Sequence, residues 1–377
     1  MRFLHLGDLH IGKRVNEFSM LEEQKYIIRI LLDIIQREQV EGVLISGDIY
    51  DKAIPSQEAV QVLDEFLTKL VERELYVFII SGNHDSPERL SFGSSIFTSR
   101  KVFISPVYQG EVKPITLQDV YGELNVYLLP FVKPATVRPF FPDHAIESYQ
   151  DAVKTAIDAM AIDSTKRNII LSHQFVTGAT RSDSEELSVG GIDNVEVNVY
   201  DSFDYVALGH IHRPQKMGRE TVCYAGTPLK YSFSEADHKK SAVIVDVEEK
   251  GTVRITKIPL IPRKDLRIIK GKYMEITALE YYKDRNTQDY LHIILTDEEE
   301  IPEVMGKLRP IYPNIMKLTY ENSRTQKKQE INSSIDVKKK SPMELFEEFY
   351  KLQNNQELKP EQTTFLQELM EGIDWGE

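Results

Sequence analysis

Short runs of apolar residues recur through the first 212 residues, and each stops at an Asp, Asn or His. Val43-Leu44-Ile45-Ser46 reads as a buried strand, and Gly47-Asp48 ends it and sends a carboxylate beyond its carboxyl end. The unit repeats. Asp8-Leu9-His10 follows Phe3-Leu4-His5-Leu6, and Gly82-Asn83-His84-Asp85 follows Val77-Phe78-Ile79-Ile80. Ser172-His173-Gln174 follows Ile169-Ile170-Leu171, and Gly209-His210-Ile211-His212 follows Tyr205-Val206-Ala207-Leu208. Strands that each end in a ligand-type residue imply one site at one edge of a sheet.

Between these strands the period changes from two to about 3.6, which is the α/β pattern. Leu21, Ile27, Ile28, Leu31, Ile34 and Ile35 predict a helix over 20–39. Ser56 is placed as the N-cap of a second helix, with Glu58 in its first turn and Val60, Leu63, Phe66, Leu67 and Leu70 as its buried side. A third is expected over 148–161. The Gly-, Ser- and acid-rich stretch 174–199 reads as a long loop of the kind that faces substrate. From Thr221 the pattern predicts strands alone, at 221–225, 241–247 and 253–259, and Pro259, Pro262, Arg263 and Lys264 suggest a boundary.

A first domain is therefore expected over 1–260. A small α/β capping unit follows over 265–321, with strands at 290–295 and 315–320 flanking a short helix near 300–308. Residues 322–341 are basic and poor in apolar side chains, and read as a flexible linker spanning roughly 25 Å. Ser341-Pro342-Met343-Glu344 has the form of a capping box opening a helix. Leu345, Phe346, Phe349, Tyr350 and Leu352 form its apolar side, and Phe365, Leu366, Leu369, Met370 and Ile373 that of a second helix from Pro360. Two short helices on a tether cannot bury both faces in each other, so 342–377 is expected to dock a partner, with Trp375 as an anchor.

Composition narrows the class. Hydrophobic residues make up 41% of the 377 and charged residues 28%, the range of ordinary soluble chains. No apolar run approaches the ~20 residues of a membrane span, and the first strand is interrupted by Asp8, unlike a signal peptide; a cytoplasmic protein without membrane contact is expected. A net charge of −13 argues against a broadly basic nucleic-acid surface without excluding a local one. The lone cysteine, Cys223, excludes an internal disulfide and a multi-cysteine zinc site, and reads as a buried apolar residue.

Asp8, His10, Asp48, Asn83, His173, His210 and His212 are more ligands than one divalent ion needs, and suit two. A bridging carboxylate can hold two cations roughly 3.5 to 4 Å apart, clamping the attacking and leaving oxygens of a phosphoryl displacement. Imidazole and carboxylate without thiolate favour Mn, Fe or Zn over a site for Mg alone. Of the 9 histidines, His5, His144, His238 and His292 lie outside these motifs and are expected to be structural or surface residues. For Lys230, Tyr231 and Ser232, DNA contact and packing stand as equal readings.

The ordered set Asp-x-His, Gly-Asp-x-x-Asp, Gly-Asn-His-Asp, His and Gly-His-x-His resembles the calcineurin-like metallophosphoesterase superfamily. Ser46-Gly47-Asp48-Ile49-Tyr50-Asp51, Ser81-Gly82-Asn83-His84-Asp85-Ser86-Pro87 and Gly226-Thr227-Pro228-Leu229-Lys230-Tyr231-Ser232-Phe233-Ser234-Glu235 are similar, more narrowly, to the bacterial SbcD family of nuclease subunits. The resemblance covers essentially the whole chain. It implies a sandwich of two β-sheets flanked by helices, a small α/β capping domain and a C-terminal helix pair that binds an SbcC-type, SMC-like ATPase. It also implies two divalent ions, expected to be Mn²⁺, one held by Asp8, His10, Asp48 and His212 and the other by Asp48, Asn83, His173 and His210. His84 would be the catalytic histidine. Asp51 stands where some archaeal and eukaryotic relatives have a histidine, so it is expected instead to orient His84 or a ligand, with Asp85 also supporting the site. The implied activity is Mn²⁺-dependent 3′–5′ double-strand exonuclease and single-strand or hairpin endonuclease action on DNA, by a homodimer within a heterotetramer. Two rivals remain at this point: a small-molecule or protein phosphatase, and a non-catalytic scaffold for the ATPase.

Overall fold

The computed structural model describes residues 1–185 and 194–322, with Met343, Phe346, Glu347, Tyr350, Leu358, Glu361, Gln362, Thr363 and Leu366 beyond them. Phe346 and Leu366 are helical. The other expected docking residues, Leu345, Phe349, Phe365 and Leu369, lie outside the described residues, as do Trp375 and the expected linker after Asn322.

Two six-stranded mixed sheets form the core of the first compact unit, which comprises Met1–Ile269, Thr277–Ile293 and Glu303–Leu318. In the first, Arg2–Leu6, Gly42–Ser46, Tyr76–Ile80 and Val102–Ile104 run parallel in that order. Ser241–Val247 and Val253–Pro259 extend it antiparallel on the Arg2–Leu6 side. In the second, Arg219–Tyr224, Tyr205–Gly209, Arg167–His173 and Gly122–Leu129 run parallel, with Gln215–Met217 and Ile115–Asp119 as antiparallel edges. Parallel strands buried on both faces need near-continuous apolar sequence, which Val-Leu-Ile and Val-Phe-Ile-Ile supply.

Alternation along each strand then sorts the side chains. Phe3, Leu44, Phe78 and Ile80 meet Leu124, Val126, Leu128, Ile169, Leu171 and Ala207 in the layer between the sheets. Leu4, Leu6, Val43, Ile45, Val77 and Ile79 face the other way, onto Ile27, Leu31, Ile34 and Ile35 of the helix Leu21–Arg37 and Leu63, Phe66 and Leu70 of the helix Gln57–Glu72. The outer face of the second sheet, with Tyr127, Leu129, Ile170, Val206 and Leu208, packs on Ala152, Val153, Ala156 and Ile157 of the helix Tyr149–Asp158. Each such side chain contributes about 1.5–3 kcal/mol on burial. Cys223 lies in the layer between the sheets, hydrogen-bonded to the Tyr205 hydroxyl at 3.1 Å.

The helix ends follow their capping chemistry. Ser56 accepts from the Ala59 amide at 3.2 Å, and Ser148 and Asp151 complete a reciprocal capping box. One expected core position is wrong: Val60 is 45% exposed, and Ala59 and Val62 take the inward places. The buried stripe runs 59, 62, 63, 66, 70, and Val60 sits about 100° round the helix from Ala59. The stretch 174–199 is also less irregular than expected, since Phe175–Val176 pairs in parallel with Asn194–Val195 and a 3₁₀ turn covers Val197–Tyr200.

The strands expected at Tyr290–Leu295 and Ile315–Tyr320 are present, with a helix at Val304–Leu308. The second compact unit takes Lys270–Ile276, Ile294–Pro302 and the chain from Thr319. Within it Lys270 pairs with Glu321, and Asp297 accepts from the Tyr273 amide through its carboxylate and from Asn322 through its main-chain oxygen. No described helix is long and apolar enough to cross a membrane.

Candidate metal centre

In parallel strands the carboxyl ends coincide, so the segments that follow them gather at one edge. Here the edge belongs to two sheets: Arg2–Leu6, Gly42–Ser46 and Tyr76–Ile80 supply it from the first, Arg167–His173 and Tyr205–Gly209 from the second. Periodicity alone cannot assign a strand to a sheet, and the two sheets seen are those of the sandwich that the resemblance implies. Glycine lets the two edges meet. A Cβ on Gly209 would lie 1.8 Å from the Ser46 carbonyl oxygen, and one on Gly47, whose φ is +88°, would lie 2.3 Å from His173 Nδ1.

Asp8, His10, Asp48, His173, His210 and His212 are all buried at this seam. Asp8, His10, Asp48 and His210 have φ values of 54°, 44°, 47° and 99°. Left-handed backbone at a non-glycine residue costs about 1–3 kcal/mol and persists only where the surroundings enforce it. The enforcing contacts are short: Asp8 Oδ1 accepts from the His210 amide at 2.8 Å, and Asp48 Oδ1 from the His84 amide at 2.9 Å.

The side chains converge in a chain of near contacts. His10 Nε2 and His212 Nε2 are 3.2 Å apart, and Asp48 Oδ2 lies 3.7 Å from His10 Nε2 and 3.3 Å from His173 Nε2. Asn83 Oδ1 lies 3.0 Å from His173 Nε2 and 2.9 Å from His210 Nδ1. Asp8, His10 and His212 form one group able to offer ligand atoms to a single ion, and Asp8, Asp48 and His173 another. His10, Asp48 and His84 form a third.

The donor set fits divalent cations. Asp8 Oδ2 and His10 Nδ1 are buried without a hydrogen-bond partner among the described residues, a costly state for a carboxylate oxygen unless a cation meets it. Burial pushes the Asp8 carboxyl up to about 7. Burial opposes ionisation of Asp48 as well, but the His173, His10 and His84 imidazoles outweigh it and hold this carboxyl well below its ordinary range. Burial also lowers His173, yet Asp48 and Asp8 overcome that and bring it up to about 9. Positive charge is thus drawn to the middle of the cluster. Burial drives His10 well below the ordinary imidazole value and His210 down to about 3, leaving both neutral with lone pairs available.

His84 borders the cluster, its Nε2 4.0 Å from Asp48 Oδ2. Its Nδ1 lies 3.1 Å from the main-chain oxygen of Asp51. A carbonyl only accepts, so Nδ1 carries a proton and Nε2 is the atom through which the ring exchanges one. The Asp51 carboxylate itself pairs with Lys13 at 2.7 Å and faces His10 Nδ1 at 3.7 Å, so the contact with His84 is made by its backbone. Asp85 does not reach His84 by hydrogen bond; it accepts from the Ile49, Tyr50 and Gly82 amides at 2.9–3.1 Å and ties together the loops bearing Asp48 and Asn83.

Several residues here escape sequence reasoning. Ser184 Oγ lies 2.7 Å from His212 Nδ1 and 2.6 Å from Glu235 Oε1, while Glu185 Oε1 accepts from the His212 amide at 2.7 Å. Lys240, buried, donates to Glu235 and to the His212 carbonyl. Glu235 ends the longest motif quoted above, yet nothing in the motif points it at His212. Lys230 and Tyr231 resolve to packing: Lys230 pairs with Asp265, and the buried Tyr231 hydroxyl donates to the Leu9 carbonyl. Of the other histidines, His5 is a core residue between Tyr205 and Ser46, lowered by burial to about 3, and His144 is exposed.

The family described as calcineurin-like phosphoesterase matches residues 1–214, and that described as type 5 capsule protein repressor C-terminal domain matches residues 262–354. The SbcD subunit of the SbcCD nuclease of Staphylococcus epidermidis (strain ATCC 12228 / FDA PCI 1200) is 34% identical over 380 residues, covering 99% of this chain and 99% of that protein. Among solved structures, a dimetal phosphatase from Danio rerio aligns with a TM-score of 0.41 at 13% identity, covering 69% of this chain and 99% of that one. A phosphoesterase from E. coli, Yfce, aligns with a TM-score of 0.28 at 12% identity, covering 69% of this chain and 100% of that one.

Proposed function

The chain belongs to the calcineurin-like phosphoesterases, in the family of SbcD nuclease subunits, and from that premise we propose a DNA nuclease that hydrolyses phosphodiester bonds with two divalent ions. The observation that carries this reading is the group of buried acids and imidazoles at the seam of the two sheets, with Asp8 Oδ2 unpartnered among the described residues. We assign Asp8, His10, Asp48 and His212 to one ion, and Asp48, Asn83, His173 and His210 to the other. Oxygen and imidazole ligands without thiolate suit Mn²⁺. Bound there, the ions supply neutralising charge at the phosphoryl oxygens and acidify a water near the phosphorus.

Magnitudes divide the labour. Hydrolysis of a phosphate ester needs about 20 kcal/mol or more of barrier lowering, whereas a positioned acid or base supplies ~10²–10⁴, about 3–5 kcal/mol. His84 therefore makes a limited contribution. With Nδ1–H donated to the Asp51 carbonyl, protonated Nε2 gives its proton to the leaving 3′ oxygen as the P–O3′ bond breaks and the water oxygen bonds to phosphorus. The proton lost by water passes to solvent.

The relative's name, that of one subunit of the SbcCD nuclease, supports a nuclease that works with an SbcC-type partner, which we take to be an SMC-like ATPase, with DNA ends, hairpins and single strands as the substrates. We place the ATPase contact on residues 342–377 and the protein in the cytoplasm. A homodimer is supported by an apolar groove of about 380 Å³ lined by Val60, Leu63, Leu67, Leu90, Phe92 and Phe97, beside which Phe92 is 84% and Ile96 73% exposed.

The test uses duplex DNA labelled at one 3′ end, incubated in Mn²⁺, Mg²⁺ or EDTA. Labelled nucleotides are expected with Mn²⁺ and absent with EDTA, and His84→Ala is expected to slow release ~10²–10⁴-fold while still binding Mn²⁺. A His84→Ala enzyme of wild-type rate would remove the proton-donor role. No cleavage of DNA in any metal, alone or with the ATPase, would remove the nuclease reading.

A further inference from the structure

We infer that Ser184, held by Glu235, is a positioning residue for His212: it accepts a hydrogen bond from Nδ1–H of that ring and so presents a bare Nε2 to the cluster. The protons around the ring can be counted. Ser184 Oγ stands 2.6 Å from Glu235 Oε1 and 2.7 Å from His212 Nδ1, and a hydroxyl has one proton to give. The Glu235 carboxylate forms a buried ion pair with Lys240 through its other oxygen, so it accepts. The Glu235 carboxylate at 2.6 Å is a nearer and stronger acceptor than the Ser182 hydroxyl at 3.2 Å, so the Ser184 proton goes to Glu235, and toward His212 the hydroxyl oxygen can only accept. His212 Nδ1 must then carry its proton and Nε2 must not.

That bare nitrogen faces His10 Nε2 at 3.2 Å, where it accepts from His10 when that ring carries its proton on Nε2 and is open to an ion when it does not. The ring is also held from behind. Glu185 Oε1 accepts from the His212 amide at 2.7 Å, and Lys240 donates to the His212 carbonyl at 2.8 Å. Ser184 and Glu235 lie 51 residues apart and meet at the ring nitrogen that the cluster does not use. A carboxylate or hydroxyl on the far nitrogen of a ligating histidine fixes its tautomer and orientation, and losing it costs 10–100-fold in metal affinity or activity.

The inference rests on His212 being a ligand, so the test separates the two. Mn²⁺ binding to the full chain without DNA is followed by the EPR signal of the free ion, for wild type, Ser184→Ala, Ser184→Thr and His212→Ala. Ser184→Ala leaves the Glu235–Lys240 pair intact. It is expected to weaken one of two Mn²⁺ ions about 10- to 100-fold and leave the other within about threefold. Ser184→Thr, which keeps the hydroxyl, is expected to bind both as wild type does, and the melting temperature of Ser184→Ala in EDTA to be unchanged. If Ser184→Ala binds both ions normally while His212→Ala loses one, the positioning role is wrong and the metal site stands. If His212→Ala also keeps both, the ligand assignment itself fails. Equal weakening of both ions, or a lower melting temperature in EDTA, would reduce Ser184 to a loop-packing residue and overturn the inference.

Discussion

The sandwich is clamped by charge at two ends, and the clamps differ in completeness. Near the amino ends of its strands, Arg167 is 2% exposed and lies against Asp119 through both terminal nitrogens, at 2.5 and 3.1 Å. The same guanidinium donates to the main-chain oxygens of Gly122, Glu123 and Glu248, and the Met1 amino group donates to Asp119 and to the Val247 carbonyl. Both sheets are joined there, and both cations meet a carboxylate and main-chain oxygens of the same chain. At the carboxyl ends, Asp8 and Asp48 share His173, burial keeps His10 and His210 neutral, and Asp8 Oδ2 and His10 Nδ1 have no hydrogen-bond partner among the described residues. One end is closed by its own side chains; the other leaves buried polar atoms without a partner among the described residues. Incompleteness at a buried, strained, glycine-seamed edge marks a ligand site more reliably than the number of charged residues does.

The largest expected effect tests the closed end. Arg167→Met should cost about 3–5 kcal/mol in urea unfolding, because it removes the buried donor shared by the Asp119 carboxylate and the Gly122, Glu123 and Glu248 carbonyls, and Mn²⁺ affinity should stay within about twofold. A parallel fall in Mn²⁺ affinity would show that the two ends are not independent. Next in size is the response to the ion. Mn²⁺ at about 100 times its dissociation constant should add about 2.7 kcal/mol to wild-type stability and little to Asp8→Asn. An equal gain in the variant would place the binding elsewhere.

The smallest effect is in pH, where the two ends should have opposite signs. Burial raises Asp119, but hydrogen bonds from Arg167 and the amino terminus outweigh it and hold the carboxyl down to about 2. A folded pKa below the unfolded value gives stability that is complete above about pH 4 and is lost as pH falls through about 2. Asp8 is pushed up to about 7, above its unfolded value, so in EDTA it destabilises the fold above about pH 7, and that cost fades as pH falls toward about 4. The stability difference between wild type and Asp8→Asn in EDTA should therefore shrink between pH 8 and pH 5. A pH-independent difference would mean that Asp8 is not a buried ionisable group.

Much of the candidate site is legible in the sequence because each residue stands at the end of a strand. Asp8, His10, Asp48, Asn83, His173, His210 and His212 are announced by apolar runs that stop at them, and the structure gathers them at one seam. The two-sheet sandwich is legible only through the resemblance of the motifs, since an apolar run says that a strand is buried without saying which sheet it joins. Val60 shows the limit for helices: the period identifies the helix, while its rotation is set by which residues the sheet accepts. Asp51 shows the limit for contacts, because the atom that meets His84 is a backbone oxygen that any residue type would provide. Ser184 sits in a Ser- and acid-rich stretch with no period, and only the closed fold brings it to His212.

The order of strands in the first sheet also governs when this site can exist. Arg2–Leu6 lies between Gly42–Ser46 and Ser241–Val247, so this strand, made before the other described strands of its sheet, keeps one edge open until residue 247 has emerged. At roughly 5–20 residues per second, the wait for about 240 residues is roughly 12–48 s. An unpaired apolar edge is a template for pairing with another chain, which makes this interval the aggregation-prone part of synthesis. His210 and His212 are translated late in the same interval, so Asp8 and His10 spend most of it without the side chains they meet in the folded protein. The ligands that meet at the seam are all present only once His212 has been translated, so the site cannot assemble before then.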